Sequence, residues 1–311
     1  MVKVLVTGGA GYIGSALTGR LLLRGMDVAV VDNLLYRQTS LLQYFDDPRF
    51  SFVRGDARDE RLMRELVRDR DVILPLAAIV GAPACARDPR LATSVNLDAV
   101  AMLDRLRSPA QAVVFPTTNS GYGTTTGESM CTEETPLAPI SLYGRDKVEA
   151  ERILLDRGNA VTLRLATVFG VSPRMRLDLL VNDFTFRAVT DGFLVIFEKH
   201  FKRNFLHVLD AADCFAFCIE HFAEMAGEAY NVGLNEANIS KEELALAIKR
   251  RVPSLYIHFA EVGSDPDKRN YIVSNEKINR KGFTASRGLD EGIRQLIHAY
   301  RMIGKSGMYN Y

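Results

Sequence analysis

Val4-Leu5-Val6-Thr7-Gly8-Gly9-Ala10-Gly11-Tyr12-Ile13-Gly14 decides the fold of this chain. The apolar run reads as a buried strand, Gly8, Gly11 and Gly14 recur at three-residue spacing, and a helical pattern follows. Glycines so placed let the backbone turn sharply and approach a diphosphate, whose charge then rests on the free N–H groups of the next helix. Tyr12 and Ile13 supply part of that first turn. A glycine-rich turn is also an ordinary strand-to-helix connection, so its surroundings must decide. Met26-Asp27-Val28-Ala29-Val30-Val31 reads as a second buried strand ending in Asp32 and Asn33, where an acidic side chain can accept hydrogen bonds from ribose hydroxyls. A carboxylate there repels a 2'-phosphate, which favours NAD over NADP. Arg37, a nearby cation, pulls the other way.

Working outward, apolar runs of strand length fall near residues 2–7, 27–31, 50–54, 71–76, 111–115 and 160–165. Helical patterns fill the gaps near 11–24, 59–68, 89–106 and 141–157. This alternation predicts an α/β fold of Rossmann type, a parallel sheet doubly wound with helices on both faces. Beyond Gly170 the spacing turns irregular and Arg and Asn become frequent, as at Arg174, Arg176, Asn182, Arg187 and Arg203. The expected division is a dinucleotide-binding domain over residues 1–170, rejoined by about 204–234, and a smaller C-terminal α/β substrate domain from 171–203 and 235–311.

Composition sets bounds. The 311 residues are 47% hydrophobic and carry 39 Lys and Arg against 38 Asp and Glu, so the chain can bury a large core and has no net field to attract nucleic acid. Cys85, Cys131, Cys214 and Cys218 lack C-x-x-C spacing and read as core thiols; His200, His207, His221, His258 and His298 form no metal-ligand pattern. The first strand begins at Val2, leaving no room for a signal peptide, and no apolar run reaches membrane-spanning length. A cytoplasmic protein is the expectation. Arg58, Arg61, Arg64 and Arg68 recur at helical spacing beside acids and read as a solvated face.

The second informative stretch is Tyr143-Gly144-Arg145-Asp146-Lys147. Tyr143 and Lys147 lie one helical turn apart on one face, so the ammonium can stand near both the phenol and a cofactor ribose. A phenol titrates near 10. To act as a base around neutral pH it needs its pKa lowered by roughly 3 units, about 4 kcal/mol, which Lys147 and an oxidised nicotinamide can supply. The plain alternative is a chance Tyr and Lys on a helix.

The G-x-x-G-x-x-G spacing with this Tyr-Lys pair resembles the extended short-chain dehydrogenase/reductase family, and the resemblance covers essentially the whole chain. It implies NAD as cofactor. Gly55-Asp56-Ala57-Arg58-Asp59 resembles the adenine-contacting segment, with Asp56 as the contact and Ala57 beside it; Leu76-Ala77-Ala78 resembles the turn flanking the cofactor; Asn96 matches a structural Asn. Aligned on Tyr122-Gly123, Thr118 stands where the family places a hydroxyl that bonds the reacting sugar, so Thr118, Tyr143 and Lys147 are the implied catalytic set. Thr117 reads as an ordinary polar turn. In nucleotide-sugar 4,6-dehydratases of the family the next two positions are Asp and Glu. Here they are Asn119 and Ser120, which cannot do that acid-base work, so a dehydratase is not expected and both residues are assigned to the substrate.

What the resemblance leaves is hydride transfer at a secondary alcohol of a nucleotide-linked sugar. Arg203 in Lys202-Arg203-Asn204-Phe205-Leu206-His207-Val208 matches an Arg that binds the substrate diphosphate; Asn182, Arg269 and Arg174 are further implied ligands, with Arg176 weighed beside Arg174, solvated surface groups being the alternative for each. Four longer stretches, Asn119–Gly123, Met130–Glu134, Ser172–Phe184 and Asp265–Arg269, resemble the GDP-D-glycero-α-D-manno-heptose 4-dehydrogenases, one branch of the family. That branch implies an NADH left after each turnover, to be exchanged or reoxidised by a 2-oxo acid. The competing readings are a nucleotide-sugar 4-epimerase and a non-catalytic NAD sensor. The resemblance also implies a homodimer through the helices near 89–106 and 141–157, where Leu91, Val95, Val100, Leu103, Val148, Ile153 and Leu154 either meet a second copy or pack on the subunit's own sheet.

Overall fold

In a computed structural model that describes residues 1–125, 129–261 and 270–303, the chain is built on a seven-stranded sheet. Its strands are β1 (Lys3–Thr7), β2 (Asp27–Asp32), β3 (Phe50–Arg54), β4 (Val72–Pro75), β5 (Ala112–Thr118), β6 (Ala160–Leu165) and β7 (Ala229–Val232). They lie in the order β7-β6-β5-β4-β1-β2-β3, every pair parallel. The order reverses between β1 and β4, which opens a crevice at the carboxyl ends of the strands, where ligands bind in sheets of this kind. β1 is buried from Val4 to Thr7 and β2 from Val28 to Asp32, as expected of strands covered on both faces.

Helix Tyr12–Leu23 and helix Val208–Glu220 cover one face through Leu17, Leu21, Ala212, Phe215 and Ile219. Helices Glu60–Val67, Ala99–Leu106 and Leu142–Arg157 cover the other through Met63, Val67, Leu103, Ala150 and Leu154. Three of the residues read as possible dimer contacts, Val100, Leu103 and Leu154, are spent on this inner core, at 3%, 1% and 0% exposure. Leu91, Val95, Val148 and Ile153 stay half-buried.

The stretch expected as one helix over 89–106 is broken. Helices Ala82–Arg87 and Pro89–Thr93 meet at Asp88, whose side chain accepts from Leu91 N at 2.9 Å. Pro89 cannot continue the first helix and starts the second instead. A π-turn then runs from Ser94 to Asp98 before helix Ala99–Leu106, and it carries Asn96.

A second apolar cluster gathers Phe169, Val181, Phe184, Leu194, Phe205, Leu244, Ile248, Ile293, Leu296 and Tyr300. It lies under short strands: Lys202–His207 pairs in parallel with Thr167–Phe169 and antiparallel with Asn238–Ser240, and Phe193–Phe197 pairs with Tyr256–Ala260. All four cysteines are free and buried. Among the described residues no helix is long and apolar enough to cross a membrane.

Candidate functional site

The glycine-rich turn is shaped by close approach. Gly8 has φ +69°, its N–H donates to Val31 O at 2.8 Å, and a Cβ added to it would stand 2.6 Å from the Ala77 backbone. Ala77 N donates to Thr7 Oγ1 at 3.2 Å, so the ends of β1 and β4 touch there. A Cβ on Gly14 would stand 2.6 Å from the Gly9 Cα. Gly11 is the N-cap of helix Tyr12–Leu23 and contributes no side-chain cap, which leaves the helix dipole and first-turn N–H groups for an anion. The turn therefore fits a dinucleotide diphosphate. Gly8→Ala is expected to cost about 3 kcal/mol, from left-handed backbone strain plus backbone overlap, and to abolish NAD binding; thermal unfolding with and without NAD checks both.

At the end of β2, Asp32 is 8% exposed. Its carboxylate accepts from Ala10 N at 3.0 Å, Leu34 N at 2.8 Å and Gln38 Nε2 at 3.3 Å. Burial pushes this carboxyl above its ordinary pKa, with the Leu34 and Ala10 N–H groups and the Arg174 cation pulling it back. Asn33 Oδ1 accepts from Leu35 N at 3.0 Å and closes the turn. Asp56 is clasped by Arg58, Nη2 to Oδ2 2.7 Å, which holds its carboxyl below the usual range. Arg58 also reaches Ser94 Oγ at 3.2 Å while staying exposed; Arg61 and Arg64, paired with Glu65 and Glu60, complete the solvated face. Thr7, Ala57, Ala77 and Val95 line a small recess beside it. Asn96, fully buried, accepts from Ile79 N at 2.9 Å and donates to Ile79 O at 3.0 Å, pinning the loop that follows Leu76, Ala77 and Ala78.

The catalytic candidates come from β5 and helix Leu142–Arg157. Ser141 caps that helix, accepting from Gly144 N at 3.1 Å, and puts Tyr143 in its first turn. Lys147 is 2% exposed, its ammonium 4.0 Å from the centroid of Phe115 on β5. Burial pushes its pKa down to about 7. β5 runs on to Thr118, so Thr117 is a buried strand residue and not part of a turn. Thr118 Oγ1 donates to Ser120 Oγ at 3.0 Å and accepts from Ser120 N at 3.1 Å. The Ser120 carbonyl packs against Gly144, 3.5 Å from where a Cβ would stand, which brings the end of β5 beside Tyr143. Asn119 is fully buried with neither amide atom hydrogen-bonded.

Beneath them lies a buried polar network. Arg164 pairs with Glu151 at 2.7 Å and donates to Tyr122 Oη at 3.1 Å, and Tyr122 donates to Asn231 at 2.7 Å. It anchors the turn that presents Asn119 and Ser120.

The implied diphosphate ligands fare differently. Arg203 is 2% exposed, donates to Lys202 O at 2.8 Å and lies over Tyr271. Asn182 is turned inward: it accepts from Gly170 N at 3.0 Å and donates to Arg176 O at 2.8 Å, with Tyr12 Oη at 3.4 Å. Its amide groups are spent here on clamping the loop. Arg174 lies over Tyr36, near Asp32, and so on the cofactor side of the crevice. Arg269 lies outside the described residues. One participant is missing from the expected site: Ser141, a capping residue just before the helix. Arg176, weighed with Arg174 as a diphosphate ligand, is bound to Asp178 through Nη2–Oδ2 at 2.5 Å and lies in electrostatic reach of Tyr143 and Tyr12.

Comparison with known proteins agrees with this geometry. The chain is 29% identical over 311 residues to the low-salt glycan biosynthesis protein Agl12 of Haloferax volcanii, covering 96% of this chain and 98% of that one. It is 28% identical over 319 residues to a dTDP-glucose 4,6-dehydratase of Actinoplanes, covering 96% and 98%. Its fold superposes on the UDP-glucose 4-epimerase of Thermus thermophilus, solved with NAD, at a TM-score of 0.82 and 26% identity over 98% of this chain and 100% of that one. Residues 4–233 match the NAD dependent epimerase/dehydratase family, and with the glycine turn, the acidic end of β2 and the Tyr143–Lys147 helix in place, the chain belongs to that family and uses its cofactor, NAD.

Proposed function

We propose that the protein oxidises the C4 hydroxyl of a nucleotide-linked sugar to the 4-keto sugar, with GDP-D-glycero-α-D-manno-heptose as the substrate its motifs resemble most. Bound NAD supplies the hydride acceptor. Tyr143 takes the hydroxyl proton, and Thr118 holds the reacting hydroxyl. Lys147 and the positive end of its helix stabilise the phenolate. Arg203, with Arg269, carries the diphosphate, and Asn119 and Ser120 meet the sugar.

The observation that carries this reading is the end of β5. It offers a hydroxyl, an amide and a hydroxyl beside Tyr143 where elimination of water needs carboxylates. The unpartnered amide of Asn119 supports a polar ligand there, because a buried amide without a partner costs about 1–3 kcal/mol, which sugar hydroxyls offset. A 4-epimerase is the second reading, favoured by the likeness to the Thermus thermophilus enzyme: the same Thr, Tyr and Lys serve it when the keto sugar rotates before hydride returns. Assembly as a homodimer through the half-buried Leu91, Val95, Val148 and Ile153 fits either.

Incubating the protein with GDP-D-glycero-α-D-manno-heptose, NAD and a 2-oxo acid, followed by mass spectrometry, separates the two. A product lighter by two hydrogens, or its hydrate, is expected. An unchanged mass with a new chromatographic isomer identifies an epimerase. An untouched substrate rejects the heptose assignment.

A further inference from the structure

The loop from Gly170 to Asp178 follows the short strand Thr167–Phe169, yet it is fastened to the start of the glycine-turn helix. Ser172 Oγ donates to Tyr12 O at 2.6 Å and lies 3.1 Å from Ser15 Oγ. Tyr12 Oη donates to Gly170 O at 2.7 Å. Tyr300 Oη donates to the carbonyl of Asn182 at 3.1 Å, and the Asn182 amide holds Gly170 and Arg176 as described above. The loop is thus a strap across the turn that fits the cofactor diphosphate.

From this strap Arg174 reaches toward the end of β2. Its guanidinium carbon lies 4.8 Å from the centroid of Tyr36, Nη1 donates to the Met175 carbonyl, and the residue is 8% exposed. Tyr36 is itself joined to Asp32: its N–H donates to Gln38 Oε1 at 3.1 Å, and Gln38 Nε2 donates to Asp32 Oδ1 at 3.3 Å. Arg174, Tyr36, Gln38 and Asp32 therefore form one cluster, drawn from two distant stretches of chain. Asp32 is the residue at which a ribose is held in sheets of this order.

We propose that Arg174 retains and selects the cofactor: its guanidinium closes over the adenosine-ribose end of bound NAD, and the strap that carries it must lift before the dinucleotide can leave. This assigns Arg174 to the cofactor and removes it from the sugar site. It rests on the NAD dependence of the family and is independent of which sugar is oxidised. Retention follows because a cation stacked on Tyr36 and anchored through Ser172 and Tyr12 adds contacts that a departing dinucleotide has to break. Selection follows from charge. Asp32 repels a 2'-phosphate, and it also faces the Arg174 cation across the cluster. With the carboxylate removed, the same guanidinium is placed to bind a 2'-phosphate.

The test measures NADH dissociation by stopped-flow displacement, and NAD and NADP affinity by titration calorimetry, on the intact protein. Arg174→Leu is expected to raise the NADH off-rate and the NAD Kd by roughly tenfold or more, the loss of one charge-assisted contact, with Arg174→Lys in between. Tyr36→Leu, which removes the platform without touching the strap, should shift the off-rate in the same direction. Asp32→Ser should gain NADP binding, and Asp32→Ser with Arg174→Leu should lose that gain. Melting curves without cofactor confirm that each variant is folded. The proposal is overturned if Arg174→Leu and Tyr36→Leu leave NAD and NADH binding unchanged, or if the single and double Asp32 variants bind NADP equally well. A rise in the sugar KM alone for Arg174→Leu would return the residue to the substrate.

Discussion

Tyr143→Phe should lower turnover by roughly a hundred- to ten-thousand-fold, the usual range for loss of a general base, while NAD affinity and melting temperature stay near wild type. The reasoning begins with the helix. Ser141 caps it through Gly144 N at 3.1 Å, so Tyr143 stands in the first turn, where the helix dipole favours the phenolate. Lys147 follows one turn later on the same face, and the guanidinium of Arg176 lies within electrostatic reach from the strap. These charges have nothing to stabilise once the phenol oxygen is gone. Phe keeps the ring, so packing against the end of β5 survives. Single-turnover formation of NADH, read by absorbance beside a calorimetric NAD titration, separates the two effects. A variant with full turnover and intact cofactor binding would remove Tyr143 as the base.

The parts legible in the sequence are those whose cause is local. Gly8, Gly11 and Gly14 announce their turn because a strand, a tight bend and a helix must follow one another within a few residues, and the expected strands 50–54 and 160–165 coincide with β3 and β6. The Tyr143–Lys147 pair is legible because helical spacing fixes its geometry. The interruption at Ser94–Asp98 was not, since its anchor is Asn96 bonded to Ile79, a residue in the loop after β4. The inward turn of Asn182 depends on Gly170, Arg176 and Tyr12 converging from two halves of the chain. Arg174 carries the same lesson: by composition it belongs with the arginines of the substrate half, and only the docking of its loop on Tyr12 and Ser15 brings it to Asp32 and Tyr36. Long-range hydrogen bonds decide where a locally featureless polar side chain ends up.

Lys147→Met should abolish turnover and at the same time stabilise the cofactor-free protein. Lys147 is 2% exposed over the ring of Phe115, and burial pushes its pKa from 10.5 down to about 7. The unfolded chain therefore binds a proton that the folded chain releases, at every pH between about 7 and 10.5. Across that window stability rises with pH, because the unfolded state carries the extra proton. Below about 7 both states are protonated and the folded state bears the whole cost of the buried charge, on the order of 5 kcal/mol. Met has nearly the same length and no charge, so the substitution removes this cost. The cofactor-free variant should melt roughly 5–10 °C higher at pH 6, and the gain should shrink toward zero as the pH approaches 10.5. Saturating NAD should stabilise the wild type more than the variant, since only the wild type can offer an ammonium to the cofactor ribose. Melting curves across this pH range, with and without NAD, test the argument directly. If Lys147→Met were less stable than wild type at pH 6, the buried ammonium would instead be a net support of the fold, and the assignment of its burial to function at the expense of stability would fail.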